Sequence, residues 1–171
     1  MILHFLAKPA ISNRYVSLFR TRYRFTSTMA GNNCVFCGII AEDQKKQIIF
    51  QDDMVIVFND VRPAAPHHFL IVPKEHISDA KVLVPSQKSL VEHMISTAHK
   101  MLTDNTGSTD NARLGFHWPP FHTVSHLHLH AIAPASDMGF MSKMMFKENS
   151  LWFVSPEYVL TRLSTEEAPS Q

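Results

Sequence analysis

The chain has 171 residues, of which 45% are hydrophobic, so it carries enough apolar material for the core of one domain of ordinary size. Its 16 Lys and Arg residues against 15 Asp and Glu give a formal net charge of +1, which argues against nucleic-acid binding through bulk charge. The chain has five glycines and contains neither of the two common Gly-rich phosphate-binding motifs, G-x-G-x-x-G and the Walker A loop. No apolar run is long enough to cross a membrane. With two cysteines, a disulfide scaffold is excluded. Histidine is in excess: there are 11, and five of them lie within residues 117–130.

The charge is unevenly distributed, and residues 1–30 form a basic leader. Five cations lie in residues 1–29, whereas the first carboxylate of the chain is that of Glu42. Without these cations, residues 30–171 have 11 Lys and Arg against 15 Asp and Glu, a formal charge of −4. A basic, hydroxyl-rich and acid-free start is typical of an organelle transit peptide; the alternatives are a disordered tail or a start at Met29. We expect a mitochondrial protein if the leader acts as a transit peptide, and a cytoplasmic or nuclear protein otherwise.

Residues 31–163 are predicted to form a single α+β domain, followed by a disordered tail at 164–171. The apolar patterns predict five strands and one long helix, in this order: strands at Gln47–Gln51, Met54–Asn59 and His68–Val72, a helix from Pro85 to about Asp104, and strands at Arg113–His117 and His126–Ala133. Beyond Ala133 we expect a loop to about Ser142 and then short apolar pieces such as Leu151–Val154. The expected architecture is an antiparallel sheet of about five strands with one long helix and a short C-terminal element.

Three histidines alternate with apolar residues in the last predicted strand. On a strand, this period of two places His126, His128 and His130 on one face and the intervening leucines on the other, toward the core. Three imidazoles in register are difficult to explain as structural residues. They could bind a metal ion, or one of them could act as a nucleophile while its neighbours fix its proton. The spacing alone does not decide between these two chemistries.

Several motifs together resemble the histidine triad superfamily of nucleotide hydrolases and transferases. They are His126-x-His128-x-His130, the opening Cys34–Cys37, the segment Phe58–Pro63, the strand His68–Ile77, and the flanking segments Gly115–Pro120 and Gly139–Lys143. The resemblance covers about residues 33–155 and implies the fold of that family.

The resemblance also implies an activity: hydrolysis of adenosine 5′-phosphoramidates and related nucleotidyl conjugates to AMP plus an amine. His128 would be the nucleophile and would carry a covalent AMP–histidine intermediate. His130 would contact the phosphate, while His126 and His68 would orient the row. The transferase branch has glutamine at the position of His130, so this chain is expected to be a hydrolase.

The nucleotide-binding residues that the resemblance implies come from several segments. Asp60 would bind the ribose, Phe58 and Val61 would form walls for the purine base, and His117, Thr123 and Lys143 would contact the phosphate. His117 and Thr123 stand near positions where the family commonly has Asn and Ser. The source of the proton for the leaving amine is therefore open, with His117 and His122 as candidates.

A metal site and a partner are also implied by the resemblance. Cys34, Cys37, His76 and His126 match the ligands of a structural zinc site, although both cysteines could simply be small buried residues; the reaction itself requires no cofactor. A homodimer is implied, although the methionines of the long helix could equally be internal core residues. Two other functions remain open: a zinc-dependent hydrolase with the triad histidines as ligands, and a noncatalytic nucleotide-binding scaffold.

Overall fold

The computed structural model of the chain describes residues 34–41 and 47–166, and the predicted leader lies outside the described residues. The elements in chain order are α1 (Val35–Ala41), β1 (Ile48–Gln51), β2 (Val55–Asn59), β3 (His67–Pro73), α2 (Lys88–Thr106), β4 (Arg113–His117), β5 (Leu129–Ala133), α3 (Phe140–Met145), β6 (Phe153–Val154) and α4 (Pro156–Glu166). None of the helices described is both long and apolar enough to span a lipid bilayer.

The described strands form one antiparallel sheet in the order β1-β2-β3-β5-β4-β6. The predicted α+β fold is confirmed, with six strands where about five were expected. The additional strand is β6, which pairs with β4 and places His117 opposite Phe153. Gly115 permits this close approach, because a Cβ atom at this position would overlap the Phe153 ring.

Alternation along the strands separates two faces of the sheet. On β2, Val57 belongs to the main core beneath α2 and α4, whereas Phe58 lies on the opposite face in a separate apolar cluster. The same alternation on β5 puts Leu129 into the main core and His130 on the opposite face, against Phe146. The candidate site therefore lies on the face of the sheet that α2 does not cover.

Helix α2 covers the main core and follows the prediction closely. A 3₁₀ turn at Pro85–Gln87 leads into it. Gly107 ends it in the left-handed conformation (φ 77°), with its N–H donating to the Thr103 carbonyl at 2.9 Å. Its buried residues are Leu90, Val91, Met94, Thr97, Ala98, Met101 and Leu102. Met94 and Met101 are therefore internal core residues.

The predicted start of the last long strand is wrong, because β5 begins at Leu129 and not at His126. Continuing the pairing with β3 would place Pro73 opposite Leu127, and proline has no N–H for the ladder. The Leu127 N–H donates instead to the Ile77 carbonyl at 2.6 Å. The first two triad histidines consequently precede the regular strand.

The C-terminal part contains more helix than the sequence predicts. Helix α3 takes the place of the end of the expected loop, which was predicted to reach about Ser142, and of the first apolar residues after it, and none of its residues is buried. Helix α4 is the expected C-terminal element; it begins after Ser155, whose hydroxyl accepts the Tyr158 N–H at 3.3 Å, and it buries Val159 and Leu163 in the main core. Because α4 continues to Glu166, the predicted tail at 164–171 begins inside a helix.

Candidate active site

His128 presents one free ring nitrogen. Its Nδ1 lies 2.6 Å from the His126 carbonyl oxygen, which can only accept a hydrogen bond, so Nδ1 carries the proton and Nε2 is unprotonated. Burial lowers the pKa of His128 to about 4, so the ring is neutral at pH 7. A neutral imidazole whose second nitrogen is held as N–H is a competent nucleophile.

A chain of hydrogen bonds fixes the protons of the neighbouring histidines. The Ala64 N–H donates to His68 Nδ1 at 3.0 Å, so His68 carries its proton on Nε2. This Nε2–H donates to His130 Nδ1 at 2.9 Å. His130 therefore carries its own proton on Nε2, which is buried and has no hydrogen-bond partner among the described residues. The last group in this series of hydrogen bonds is therefore the Nε2–H of His130, a donor that is available to an oxygen of a bound ligand.

Burial keeps the hydrogen-bonded pair of His68 and His130 uncharged. It lowers the pKa of His68 to about 4, against the opposing attraction of the Asp60 carboxylate, and holds the pKa of His130 well below its ordinary value. Asp60 Oδ2 lies 3.5 Å from His68 Nε2. The Phe146 ring packs edge-on against both imidazoles, with centroids 5.3 Å from His68 and 5.1 Å from His130.

His117, at the end of β4, brings a further imidazole to the same place. Its Nδ1 donates to the Trp152 carbonyl at 3.3 Å, and its ring centroid lies 4.9 Å from that of His130. Burial lowers the pKa of His117 below its ordinary value. This ring is therefore also neutral, with its lone pair on Nε2.

A cavity of about 190 Å³, including its open mouth, lies beside His128. His117 and His122 are among its lining residues. Its enclosed part measures about 10 Å³, which is room for about one water molecule. The cavity therefore identifies the side chains that converge beside His128.

The other residues predicted from the sequence to bind the nucleotide differ in their exposure and in their distance from the histidines. Asp60 follows β2 and faces the His68–His130 pair. Phe58 is buried, whereas Val61 is 91% exposed. Thr123 lies in the loop between β4 and β5 and Lys143 on α3, and both are exposed.

The imidazole of His126 faces the cysteines. Cys34 Sγ and Cys37 Sγ lie 3.4 Å and 3.5 Å from His126 Nδ1, and Cys37 Sγ lies 3.2 Å from His76 Nδ1. The four possible ligand atoms are all within 4.8 Å of one another. His126 Nε2 donates to the Pro73 carbonyl at 2.9 Å, which leaves Nδ1 unprotonated toward the sulfurs.

These four residues fit a zinc ion. Tetrahedral zinc with Zn–N and Zn–S bonds of about 2.0–2.3 Å places its ligand atoms about 3.3–3.8 Å apart, close to the separations of the cluster. Two cysteines and two histidines are also one of the donor sets found in structural zinc sites. The sequence-predicted ligands are thus brought together in one place.

The triad histidines do not form a metal site together. Among the described residues, possible ligand atoms cluster in two groups, Cys34-Cys37-His76-His126 and Asp60-His68-His130, and His128 belongs to neither. In the second group the Ala64 N–H forces the proton onto His68 Nε2, which is the atom that would have to bind the metal. The geometry therefore favours nucleophilic catalysis over the zinc-hydrolase alternative.

Several groups in the site could not be predicted from the sequence. The Phe36 ring of α1 lies edge-on to His128 and His126, with centroid distances of 5.4 Å and 5.8 Å. Phe36 and Phe146 had no sequence signal beyond their apolar character. The Ala64 N–H and the His126 carbonyl, which set the proton positions, have none at all, because every residue carries such groups.

The chain is similar in sequence to known proteins. The model of the family described as "Scavenger mRNA decapping enzyme C-term binding" matches residues 33–146. The chain is 43% identical over 136 residues to the adenosine 5′-monophosphoramidase HINT3 of Mus musculus, covering 77% of this chain and 82% of that protein. It is 41% identical over 109 residues to the bifunctional adenosine 5′-phosphosulfate phosphorylase/adenylylsulfatase HINT4 of Arabidopsis thaliana, covering 61% and 74%.

A solved structure agrees with these sequence matches. It is that of a HIT family hydrolase from Clostridium thermocellum, with a TM-score of 0.55 and 36% identity over 59% of this chain and 90% of that chain. Its fold likeness, together with the matched family model and the identity to the mouse protein, shows that the chain belongs to the histidine triad (HIT) family.

Proposed function

We propose that the protein hydrolyses the P–N bond of adenosine 5′-phosphoramidates to AMP and an amine through a covalent AMP–His128 intermediate. The observation that carries this proposal is the 2.6 Å hydrogen bond from His128 Nδ1–H to the His126 carbonyl, which leaves Nε2 of a buried neutral ring as the nucleophile. The name of the mouse relative, adenosine 5′-monophosphoramidase, supports the choice of substrate.

Two hydrogen bonds would stabilise the transition state of the first half-reaction. As Nε2 of His128 attacks phosphorus, the ring gains positive charge and its bond to the His126 carbonyl strengthens, because charge-assisted hydrogen bonds are the stronger ones. The unpartnered Nε2–H of His130 would donate to a nonbridging phosphate oxygen. In the second half-reaction water attacks phosphorus and His128 departs as a neutral imidazole.

The remaining nucleotide contacts belong to the same proposal. Asp60 would accept hydrogen bonds from the ribose hydroxyls, since a carboxylate has two acceptor oxygens. Phe58 and Val61 would border the purine base. Thr123 and Lys143 remain our proposed phosphate contacts. His117 would join them only when Nε2 carries a proton, because its Nδ1–H is held by the Trp152 carbonyl and a lone pair cannot donate to a phosphate oxygen.

Trapping the intermediate tests this mechanism directly. Full-length protein is mixed with a phosphoramidate of [³²P]AMP, quenched in base within milliseconds and digested for mass spectrometry, because a phosphorus–imidazole bond is labile to acid. We expect the label on His128, no label and no turnover in His128→Ala, and normal labelling in His99→Asn, which alters an exposed histidine of α2. Label on another residue, or turnover without any labelled protein, would contradict the proposal.

We also propose that Cys34, Cys37, His76 and His126 hold a structural zinc ion. A bound zinc ion would join α1 to the segment before β5, and no step of the P–N cleavage needs it. We expect purified full-length protein to contain one zinc per chain and Cys37→Ser to contain far less, with His99→Asn as the matched control. Wild-type protein that neither contains zinc nor takes it up would refute this site.

The predicted homodimer and location complete the proposal. Sedimentation equilibrium of the full chain is expected to give twice the mass of one chain. A fusion of residues 1–29 to a fluorescent reporter is expected to reach mitochondria if the leader is a transit peptide. A diffuse cytoplasmic and nuclear signal would assign the leader no targeting role.

A further inference from the structure

The proposed reaction needs a proton for the departing amine, and this need points to a further residue. The two imidazoles nearest the phosphate cannot supply it. The Nδ1–H of His128 is held by the His126 carbonyl. The Nε2–H of His130 is the donor left for a phosphate oxygen. The inference that follows rests on the proposed function and names the group that completes it.

The cavity beside His128 limits the choice. Apart from His128 itself, its titratable lining residues are Asp79, His117, His122 and His126. Asp79 is engaged in its own turn, where Oδ1 accepts the Lys81 N–H at 2.8 Å and Oδ2 accepts the Ser78 hydroxyl at 3.2 Å. His126 uses one ring nitrogen on the Pro73 carbonyl and directs the other at the cysteines. The polar side-chain atoms of both residues are therefore already engaged.

His117 is an acceptor at the nitrogen that it leaves free. Its Nδ1–H is donated to the Trp152 carbonyl, so Nε2 holds a lone pair. Burial lowers the pKa of His117, which keeps the ring in this neutral form. In that form His117 can receive a hydrogen bond from a ligand or from a neighbouring ring, but it cannot protonate an amine.

His122 is different, because its Nδ1 is buried and has no hydrogen-bond partner among the described residues. It lies in the loop of residues 118–125, which is anchored by the bond from Trp118 N–H to the Trp152 carbonyl at 2.8 Å. His122 and His117 both line the cavity beside His128. We propose that His122 is the general acid that protonates the leaving amine.

Atoms and charge are conserved in both half-reactions. The Nε2 lone pair of His128 forms the bond to phosphorus, the P–N bond breaks, and its electron pair takes a proton from the His122 imidazolium. The products are the free amine, neutral His122 and AMP–His128. In hydrolysis, water forms a bond to phosphorus and loses a proton to His122, the bond from phosphorus to Nε2 breaks, and His128 regains its neutral form. Both histidines end the cycle as they began it.

Two substrates with different leaving groups separate acid catalysis from binding. One is the phosphoramidate of AMP with a primary alkylamine, which leaves only when protonated. The other is the 4-nitrophenyl ester of AMP, whose phenolate leaves without a proton. For His122→Asn we expect kcat/KM to fall about 100-fold on the phosphoramidate and less than about 3-fold on the ester. His99→Asn serves as the control and should match the wild type on both substrates. Activity on the ester also verifies that the variant is folded.

Three results would overturn the role of His122: equal losses on both substrates, no loss on either, or a loss selective for the phosphoramidate in His117→Asn in place of His122→Asn. Failure of the proposed function looks different. It would appear in the wild type, as absence of AMP release from both substrates and of label on His128.

Discussion

His126 and His68 lie in neighbouring parts of the molecule, and the backbone gives their rings opposite roles. His126 donates from Nε2 to the Pro73 carbonyl at 2.9 Å, so its far nitrogen is unprotonated and can bind a metal. His68 accepts the Ala64 N–H on Nδ1 at 3.0 Å, so its far nitrogen carries the proton and becomes a donor. A single backbone group thus decides whether a buried histidine acts as a ligand or as a link in a proton chain.

The same contrast extends to the groups around each ring. On the side of His126, free donor atoms of Cys34 and Cys37 converge at separations that suit zinc. On the side of His68, the 2.9 Å bond to His130 leaves a buried N–H for the substrate. The sequence motifs that contain these histidines do not distinguish the two environments. The following variants test whether the backbone hydrogen bonds to the two rings determine their roles.

Removing the ring that links the proton chain should have the largest effect. In His68→Ala the proton of His130 is no longer confined to Nε2, so we expect kcat to fall about 10³-fold, as when a catalytic imidazole loses the partner that fixes its tautomer. His68→Gln keeps an acceptor for the Ala64 N–H and a donor for His130 and should recover at least part of the loss. Steady-state kinetics of both variants would show this; equal losses would mean that proton position is unimportant.

Removing metal should act mainly on stability. If zinc saturates the cluster at about 100 times its dissociation constant, chelation should lower the free energy of unfolding by about 3 kcal/mol, because only the folded state binds it. Urea unfolding with and without chelator measures the difference. The free energy of unfolding of Cys37→Ser should be lower by a similar amount, and chelator should not lower it further. A wild-type protein that is equally stable with and without chelator would contradict the zinc proposal.

Gly115, in the strand that carries His117, and Gly38, in the helix that carries Cys37, provide a matched pair of substitutions. Gly115→Ala should lower the free energy of unfolding by about 1–3 kcal/mol, because the added methyl group overlaps the Phe153 ring that packs against His117. Gly38→Ala in α1 meets open space and should be neutral or slightly stabilising. Urea denaturation of both variants gives the comparison. Equal destabilisation would show that the β4–β6 contact is not tight.

The contribution of one buried ring to the pH dependence of stability should be the smallest effect when it is measured per pH unit. The pKa of His68 is about 4 in the folded protein and near 6.5 for an ordinary imidazole, so between these values the unfolded chain binds a proton that the folded chain does not. Stability should fall as the pH falls through this window, by up to about 1.4 kcal/mol per pH unit for each such ring. Urea titrations across the window should give a shallower slope for His68→Gln; an unchanged slope would refute the assigned shift.

The sequence predicted the elements with strong patterns. The strand at Arg113–His117 and the long helix were predicted because their apolar residues alternate or recur with a clear period. Helix α3 was missed because it buries no residue, so no amphipathic pattern marks it. The start of β5 was misplaced because it depends on Pro73 in another strand, which is a tertiary effect.

The candidate site divides in the same way. The residue types at His128, His130 and Asp60 could be read from the motifs. Their proton positions could not, since these depend on the Ala64 N–H and the His126 carbonyl. The 91% exposure of Val61 could likewise not be predicted, because the sequence does not show whether another element covers an apolar residue that follows a strand.

Trp152 gives the site an optical reporter of its own. Its carbonyl accepts the His117 Nδ1–H, its indole N–H donates to the Met144 carbonyl at 3.1 Å, and its ring lies 6.4 Å from that of Phe121. It therefore contacts β4, α3 and the loop that carries His122. The chain has two tryptophans, so in Trp118→Phe all tryptophan emission comes from Trp152. We expect binding of AMP to change this emission, so that nucleotide binding can be followed by fluorescence without a dye.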